Sequence, residues 1–455
     1  MQITDYRAFH AALQTCLSVV PKRSPVPILY SLRVEFRDQG VSLTACDGET
    51  YFRSFLAGQS EPGDAGKALC VNVADLRLAF PKPTKPVQEP ALDICGTKFV
   101  VTLGGARSVF EGNPAEDFPE FPKMEELKPS AVFHLEPSEI KTAFARVEHA
   151  VSPEVTRYAL NGVLLERQKS GAIRLVASDG KRLAWSLAGS EGATPFKPRV
   201  ILRVETMRLL SRLPGAFPLR SDKEFAWVQH PDFELKTRQI AGEFPDYEAC
   251  IPSGKGGMQI QVSRSRLVEA MQAATKAAPE KGPFAILHGT NGELRISVRN
   301  TAGTSLDREI PAPRIGTDSG PYLTSLNPYA VLDAAKAAPG ETLILSQADP
   351  KGPVVLTCEG DRRYLALVMP MTYEGGDLAK MIADYQAPPP MTITTQEARV
   401  EAPEARRRTL PPDPVAEEEA EPTMITVGLQ SFFEELISAG VPEDRAKEML
   451  MRLVS

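Results

Sequence analysis

A chain of 455 residues, 42% of them hydrophobic, can bury two or three domain cores, and six cysteines without a C-x-x-C pair read as reduced thiols in a cytosolic protein and exclude a zinc ribbon. No apolar run approaches the ~18 residues that a membrane helix needs, and the opening MQITDYRAFH lacks the apolar centre of a signal peptide. The net charge of −6 argues against a nucleic-acid binder only until it is divided: residues 374–455 hold 8 Lys and Arg against 16 Asp and Glu, which leaves +2 for residues 1–373.

The first predicted element is a helix over Tyr6–Val20. Phe9, Leu13, Cys16, Leu17 and Val20 share one face, and Pro21 ends it. Two strands follow within ILYSLRVEFRDQGVSLTACDGE (28–49). Leu32, Val34 and Phe36 alternate with charged residues, and Asp47-Gly48 makes a tight turn. A second helix, Val73–Phe80, stops before Pro81-Lys82-Pro83. Strands over 91–95 and 99–103 precede the proline-rich, acidic EDFPEFP at 116–122. Proline has no amide hydrogen to give, so this stretch reads as a linker or an edge strand.

The same grammar then returns. RYALNGVLLERQKSGAIRLVASDGKRLAW (157–185) repeats the hairpin at an offset of 131 or 132 residues. Leu160 falls on Leu29, Glu166 on Glu35, Leu175 on Leu43, and Asp179-Gly180 on Asp47-Gly48. Its helices are predicted over Pro137–Val151 and Val204–Leu213, and EFPDY at 243–247 matches EDFPEFP. A fainter third copy is GELRISVRN (292–300), with Asn300 where the Asp stood and helices over Ser263–Ala278 and Asn327–Ala338. A period of about 120 to 130 residues is too long for an ordinary solenoid. The reading is α+β: three similar domains (1–129, 130–252, 253–373) of antiparallel sheet with helices gathered on one side.

The six helices with their flanks sum to +9 within a region that totals +2. If they share one side, that side attracts phosphate backbones without reading sequence. The alternative is that Lys and Arg are good helix formers on a wet face. Residues 374–425, with PPP, RRR, PPDP and EEE, read as a disordered linker, and 426–455 as a helical hairpin with Leu429, Phe432, Phe433, Leu436 and Ile437 on one face.

A catalytic constellation is missing from the pattern. The five histidines (10, 134, 149, 230, 288) are scattered, and Ser253-Gly254-Lys255-Gly256-Gly257 lacks the spacing of a phosphate loop. Asp179-Gly180-Lys181-Arg182 suggests an anion site, but Asp47-Gly48 lacks the basic pair, so the turn is structural. Three copies without catalytic groups argue for a scaffold.

RYALNGVLLE (157–166), LVASDGKRLA (175–184), GEFPDYEACIP (242–252), LVMPM (367–371), KRSPVPIL (22–29) and AEDFP (115–119) together resemble the bacterial DNA polymerase III β subunit, the sliding-clamp family, over about residues 1–373. The resemblance implies a homodimeric ring of six similar domains, with helices lining a hole around duplex DNA and sheets outside. It implies a cytoplasmic, nucleoid-associated processivity factor with no catalysis, cofactor, metal or membrane contact. Its partners would be a replicative polymerase subunit and a clamp loader. The alternative function is a clamp-like platform in repair or regulation without conventional ring loading. Carried over by position, the partner-peptide cleft comprises Leu160, Ser178, Gly180, Lys181, Arg182, Leu183, Pro245, Cys250, Val368, Met369, Pro370 and Met371. DNA would meet Gln14, Arg23 and Arg203. Ala159 stands where the family commonly has Tyr, Lys181 where it has His, and Ala249 where it has Arg. The largest departure is the tail, for which two readings stay open. The hairpin around Phe432-Phe433 folds back onto the chain's own cleft, or it recruits a separate protein.

Overall fold

The computed structural model describes residues 1–371 apart from 85–87, 125–126, 155, 157, 190–197, 253–256, 281, 291, 300–304, 316–321 and 350. The linker and hairpin expected over 374–455 lie outside the described residues. Six helices appear where the periodicity places them: α1 (Tyr6–Val19), α2 (Val73–Ala79), α3 (Pro137–Val147), α4 (Val204–Leu210), α5 (Arg264–Ala277) and α6 (Pro328–Ala337). Local chemistry sets their starts. Asp5 caps α1 by accepting from the amides of Arg7 and Ala8, Asn72 and Asn327 cap α2 and α6, and prolines open α3 and α6. Two ends are shorter than expected. The segment to Val151 passes from α3 into a 3₁₀ turn at Glu148–Ala150. The α4 helix stops at Leu210, because the chain must turn through Gly215, at φ +67°, into the strand Phe217–Ser221.

Each repeat contributes a meander of three strands, Ser31–Arg37, Gly40–Cys46 and Thr50–Gln59 in the first and Gly162–Arg167, Ile173–Ser178 and Arg182–Ala188 in the second. In the third, the set is Ala285–Thr290, Glu293–Arg299 and Ser305–Pro311. All the pairings given below are antiparallel. The third strand of one meander pairs with the last strand of the next repeat. Thr50–Gln59 pairs with Phe233–Arg238, and Arg182–Ala188 pairs with Asp361–Val368. Sheets therefore run across the repeat boundaries, giving a 13-stranded sheet, a 9-stranded sheet and a 4-stranded remainder in the third repeat.

The two faces of these sheets differ. The buried faces of all six helices join the inner sheet faces in one large core. Three smaller clusters on the opposite faces contain no residue of α1–α6. Strand alternation divides the residues, so Val163 and Leu165 face the helices and Leu164 faces out. The helices thus lie on one side, as the pattern predicts. The proline-rich linkers close the outer faces: Phe118 is buried over the first repeat, Phe121 over the first seam against Trp227, and Phe244 and Tyr247 over the second repeat.

A fully buried carboxylate fastens the second linker. Glu166 accepts hydrogen bonds from the Tyr247 hydroxyl (2.7 Å), Gln168 Nε2 (2.7 Å) and Arg199 Nε (2.6 Å). Burial pushes its pKa up, but the bonds from Tyr247, Arg199 and Gln168 outweigh that and hold it below the ordinary glutamate value. A depressed folded pKa gives stability that is present above the unfolded value, near pH ~4.3, and is lost as pH falls through the folded one. Glu166→Gln is expected to cost about 1–3 kcal/mol at pH 7. In urea denaturation series the gap from the natural chain should narrow as pH falls through the depressed folded pKa, where the native carboxyl also becomes neutral.

Candidate functional site

On the outer face of the seam between the second and third repeats, where the cleft is expected, lies an apolar cluster. Its floor is a ladder of cross-strand pairs, Leu183 opposite Leu367 and Trp185 opposite Leu365. Leu164, Val176, Ile201 and Val355 surround the ladder, and Phe244 and Tyr247 lean over it from the linker. Ala159, Leu160, Trp185, Ile240 and Ile251 are only partly buried against this cluster, and Met369 is 40% exposed, so apolar atoms face solvent. An extended peptide with leucine or phenylalanine side chains suits such a slot.

One rim of the cleft is the Asp-Gly turn. Asp179 Oδ1 accepts from the amides of Lys181 and Arg182, each at 2.8 Å. Ser178 Oγ donates to the Arg182 carbonyl and accepts from the Gly180 amide. Gly180 sits at φ +83° with open space where a side chain would lie, so backbone conformation and not crowding selects glycine. The terminal strip is pinned beside this turn, with the Met369 amide 2.9 Å from the Lys181 carbonyl and the Met371 amide 2.8 Å from the Ser325 carbonyl.

The expected cleft residues fall into different roles. Leu160 and Leu183 are in the apolar cluster. Ser178, Gly180 and Lys181 form the rim, and Met369, Pro370 and Met371 border it. Pro245 and Cys250 are exposed on the linker. Arg182 is a lock between repeats: its Nε lies 3.0 Å from Asp179 and its Nη1 2.9 Å from Asp333 on α6. Val368 needs a correction. Its side chain is buried in the inner core, because alternation along Asp361–Val368 turns Tyr364, Ala366 and Val368 to the helices. Leu365 and Leu367 take the outward positions instead, and the alternation of that strand was the signal for them.

The corresponding place at the first seam is polar. Tyr51 stands opposite Lys236 where the cleft has Leu183 and Leu367, and Arg53 opposite Glu234 where it has Trp185 and Leu365. Arg53 lies over the Phe121 ring at 4.1 Å and Lys236 over Phe225 at 3.9 Å, so these groups cover one another.

On the helical side, exposed Arg7, Arg77, Lys141, Arg266, Lys276 and Lys336 outnumber exposed Glu139, Glu205 and Glu269. Gln14 is exposed on α1, with its amide nitrogen 3.4 Å from His10 Nε2. Arg23 is exposed and lines a cavity of about 350 Å³ at the first seam. Arg203 is committed to that seam: its Nη2 lies 2.6 Å from Thr50 Oγ1 and 3.1 Å from Asp47 Oδ2. Thr50, Thr237 and Thr206 continue the chain of hydroxyls inward. Among the described residues, no group of three or more His, Cys, Asp and Glu could hold a metal, and no helix is long and apolar enough to cross a membrane.

No family model matches the chain. Curated relatives do. The beta sliding clamp of Pseudomonas aeruginosa is 27% identical over 369 residues, covering 79% of this chain and 96% of the relative. That of Escherichia coli is 25% identical over 356 residues, covering 77% and 93%. Over about four fifths of its length the chain is thus similar to bacterial beta sliding clamps. The fold of solved clamps agrees. The DNA polymerase III beta subunit of Thermotoga maritima superposes with a TM-score of 0.73 at 21% identity, covering 82% of this chain and 99% of that one. A Pseudomonas aeruginosa clamp solved bound to griselimycin gives 0.73 at 24% identity, covering 82% and 98%. About a fifth of this chain lies outside the match to these clamps. Of the family departures, Ala159 is half-buried against the apolar cluster, and Lys181 and Ala249 are exposed.

The Arg182–Asp333 pair is a testable joint between repeats. Asp333 is 41% exposed, which screens the attraction, so Arg182→Ala should cost only about 1 kcal/mol of unfolding free energy. The loss should shrink further in 1 M salt when urea midpoints are compared across ionic strength.

Proposed function

We propose that this chain is a non-catalytic DNA polymerase processivity factor. Two copies close head to tail into a ring around duplex DNA. The apolar cleft tethers the replicative polymerase subunit and takes the clamp loader in turn. Gln14, Arg23 and the basic helical face meet phosphates without reading sequence, and Arg203 supports that face from within the first seam. A ring that slides needs diffuse attraction and few tight base contacts, which is what counterion release provides.

The observation that carries this reading is a seam that occurs twice and leaves its two halves open a third time. The rule pairs the third meander strand of one repeat with the last strand of the next. Applied to Ser305–Pro311, it calls for the last strand of a first repeat, Ala106–Glu111. Among the described residues, each of these strands is paired on one side only, with Glu293–Arg299 and Lys98–Leu103 respectively. A second copy supplies the mates. One helix position repeats the argument. Six residues after the cap, α4 places Leu209, buried at the first seam, and α6 places Asp333, paired across the second. The same position in α2 is Leu78, which is 75% exposed. A surface leucine left bare where its counterparts engage the neighbouring repeat marks a missing neighbour.

Sedimentation velocity on the full-length chain should give a species of twice the 49.6 kDa chain mass. Leu78→Glu should weaken association at least ~10-fold, since burying a leucine side chain contributes roughly 1.5–3 kcal/mol. A monomer throughout the micromolar range would overturn the closed ring and leave the clamp-like platform. Lys141→Ala, on the exposed face of α3, should lower the salt slope of DNA association by about one and reduce affinity alike on unrelated sequences.

A further inference from the structure

We propose that the outer face of the first repeat carries a basic groove that takes an extended peptide with acidic side chains at alternate positions. The groove stands apart from the apolar ladder and from the ring, so its failure would leave both readings untouched. A cavity of about 640 Å³ lies there between the linker 115–121 and the sheet. Its floor holds Arg33, Glu35 and Arg37 of one strand and Arg53 of another, because Leu32, Val34, Phe36 and Phe52 turn inward to the helices. By the repeat offset, Arg33, Thr44 and Arg53 fall on Leu164, Val176 and Trp185 of the second repeat, and Phe118 falls on Phe244. The two repeats share one frame, a linker laid over a three-stranded floor. They differ in what the floor offers, which is hydrocarbon in the second repeat and guanidinium in the first.

These guanidiniums are incompletely neutralised. Arg33 and Arg37 share a single oxygen, Glu35 Oε2, at 2.8 and 3.9 Å. Arg53 reaches Glu234 only at 3.5 Å. Burial presses the Arg53 guanidinium below its ordinary pKa, and Arg37 and Arg33 add to that while Glu234 and Glu35 oppose it. The donors are also held in place before a ligand arrives. Arg53 lies over the Phe121 ring at 4.1 Å and Arg37 over Phe55 at 4.9 Å, so two planar forks are braced and lose little freedom on binding. Arg33 and Arg37 remain accessible, with side chains 27% and 43% exposed. The linker side is acidic instead. Glu116 and Glu120 line it, both exposed, and among the described residues neither pairs with these arginines. A uniformly acidic ligand would be repelled from that edge. An extended peptide turns successive side chains to opposite sides, so acids at every second position meet the sheet while uncharged groups meet the linker. Arginine forks take carboxylates bidentately, and such charged hydrogen bonds are the strong ones.

The test uses the full-length chain and a tetramethylrhodamine-labelled peptide, Gly-Glu-Ser-Glu-Ser-Glu-Gly, read by fluorescence anisotropy at low salt. The control peptide has Gln in place of each Glu. The acidic peptide should bind, the control should not, and the affinity should fall as salt is raised. R33Q/R37Q should weaken binding at least ~10-fold. R33K/R37K keeps both charges but loses the forks, and should weaken it about threefold even if the glutamine pair proves too unstable to assay. Affinity unchanged in both variants overturns the groove. Binding kept in R33Q/R37Q but lost in R266Q/K276Q places the peptide on the helical face and overturns it as well. No binding of the acidic peptide, or equal binding of the control, overturns it outright.

Discussion

Main-chain pairing across repeat boundaries is the constraint on which the rest of this structure depends. The backbone hydrogen bonds between Thr50–Gln59 and Phe233–Arg238, and between Arg182–Ala188 and Asp361–Val368, make continuous sheets out of repeats that would otherwise touch only through side chains. An unpaired backbone group buried away from water is costly, so a seam of this kind has little freedom to slip or hinge. It also fixes the side chains that hang from it. The Asp47–Arg203 and Arg182–Asp333 bridges lie beside the two seams and reinforce an angle already set by the strands. Partly exposed pairs of this kind adjust a junction; they do not create it.

One seam geometry yields two different surfaces because alternate residues face opposite ways along each strand. The inward set feeds the helical core with Phe52, Phe233 and Leu235 at the first seam and Ala184, Ala366 and Val368 at the second, alongside the buried hydroxyls of Thr50, Thr237 and Ser186. The outward set is free to vary. Leu183, Trp185, Leu365 and Leu367 make an apolar ladder, while Tyr51, Arg53, Glu234 and Lys236 cover themselves with cation–π and ionic contacts. Duplication therefore supplies the scaffold, and substitution at four outward positions decides the character of a seam's outer face. The linkers follow the same logic, for Phe244 and Tyr247 shape the cleft while Phe118 seals the first repeat and Phe121 the first seam.

Much of this was legible in the sequence because it is local. Helical periodicity and the repeated Asp-Gly turn each depend on neighbours a few residues away. What was not legible depends on partners far along the chain. The resemblance carries Arg203 over as a DNA contact. Its partner Asp47 lies 156 positions away, and only the folded seam brings them together. Val368 was placed in the cleft with its neighbours as a block, whereas the pleat splits that block and gives the cleft Leu365 and Leu367. The polar character of the first seam was likewise hidden, because knowing which residues of 50–59 and 233–238 stand opposite one another requires the register.

In the proposed ring, the open edges would have to take a single mate without joining indiscriminately to others. An exposed strand edge is a template for any passing strand, and apolar edges aggregate. Here Ala106–Glu111 carries Arg107 and Glu111, and Ser305–Pro311 carries Asp307, Arg308 and Glu309 before ending in Pro311. Charges of both signs penalise most registers and partners, and a proline withholds an amide from continued pairing. The apolar groups that reward the correct mate sit to one side, Leu78 on α2 and the half-buried Leu306 within the edge itself. Edge charge limits which strand can approach, and the helix residue stabilises the one that fits. Specificity and affinity at the open seam thus reside in different elements, as they do at the closed seams, where backbone pairing sets the junction and Leu209 or Asp333 secures it.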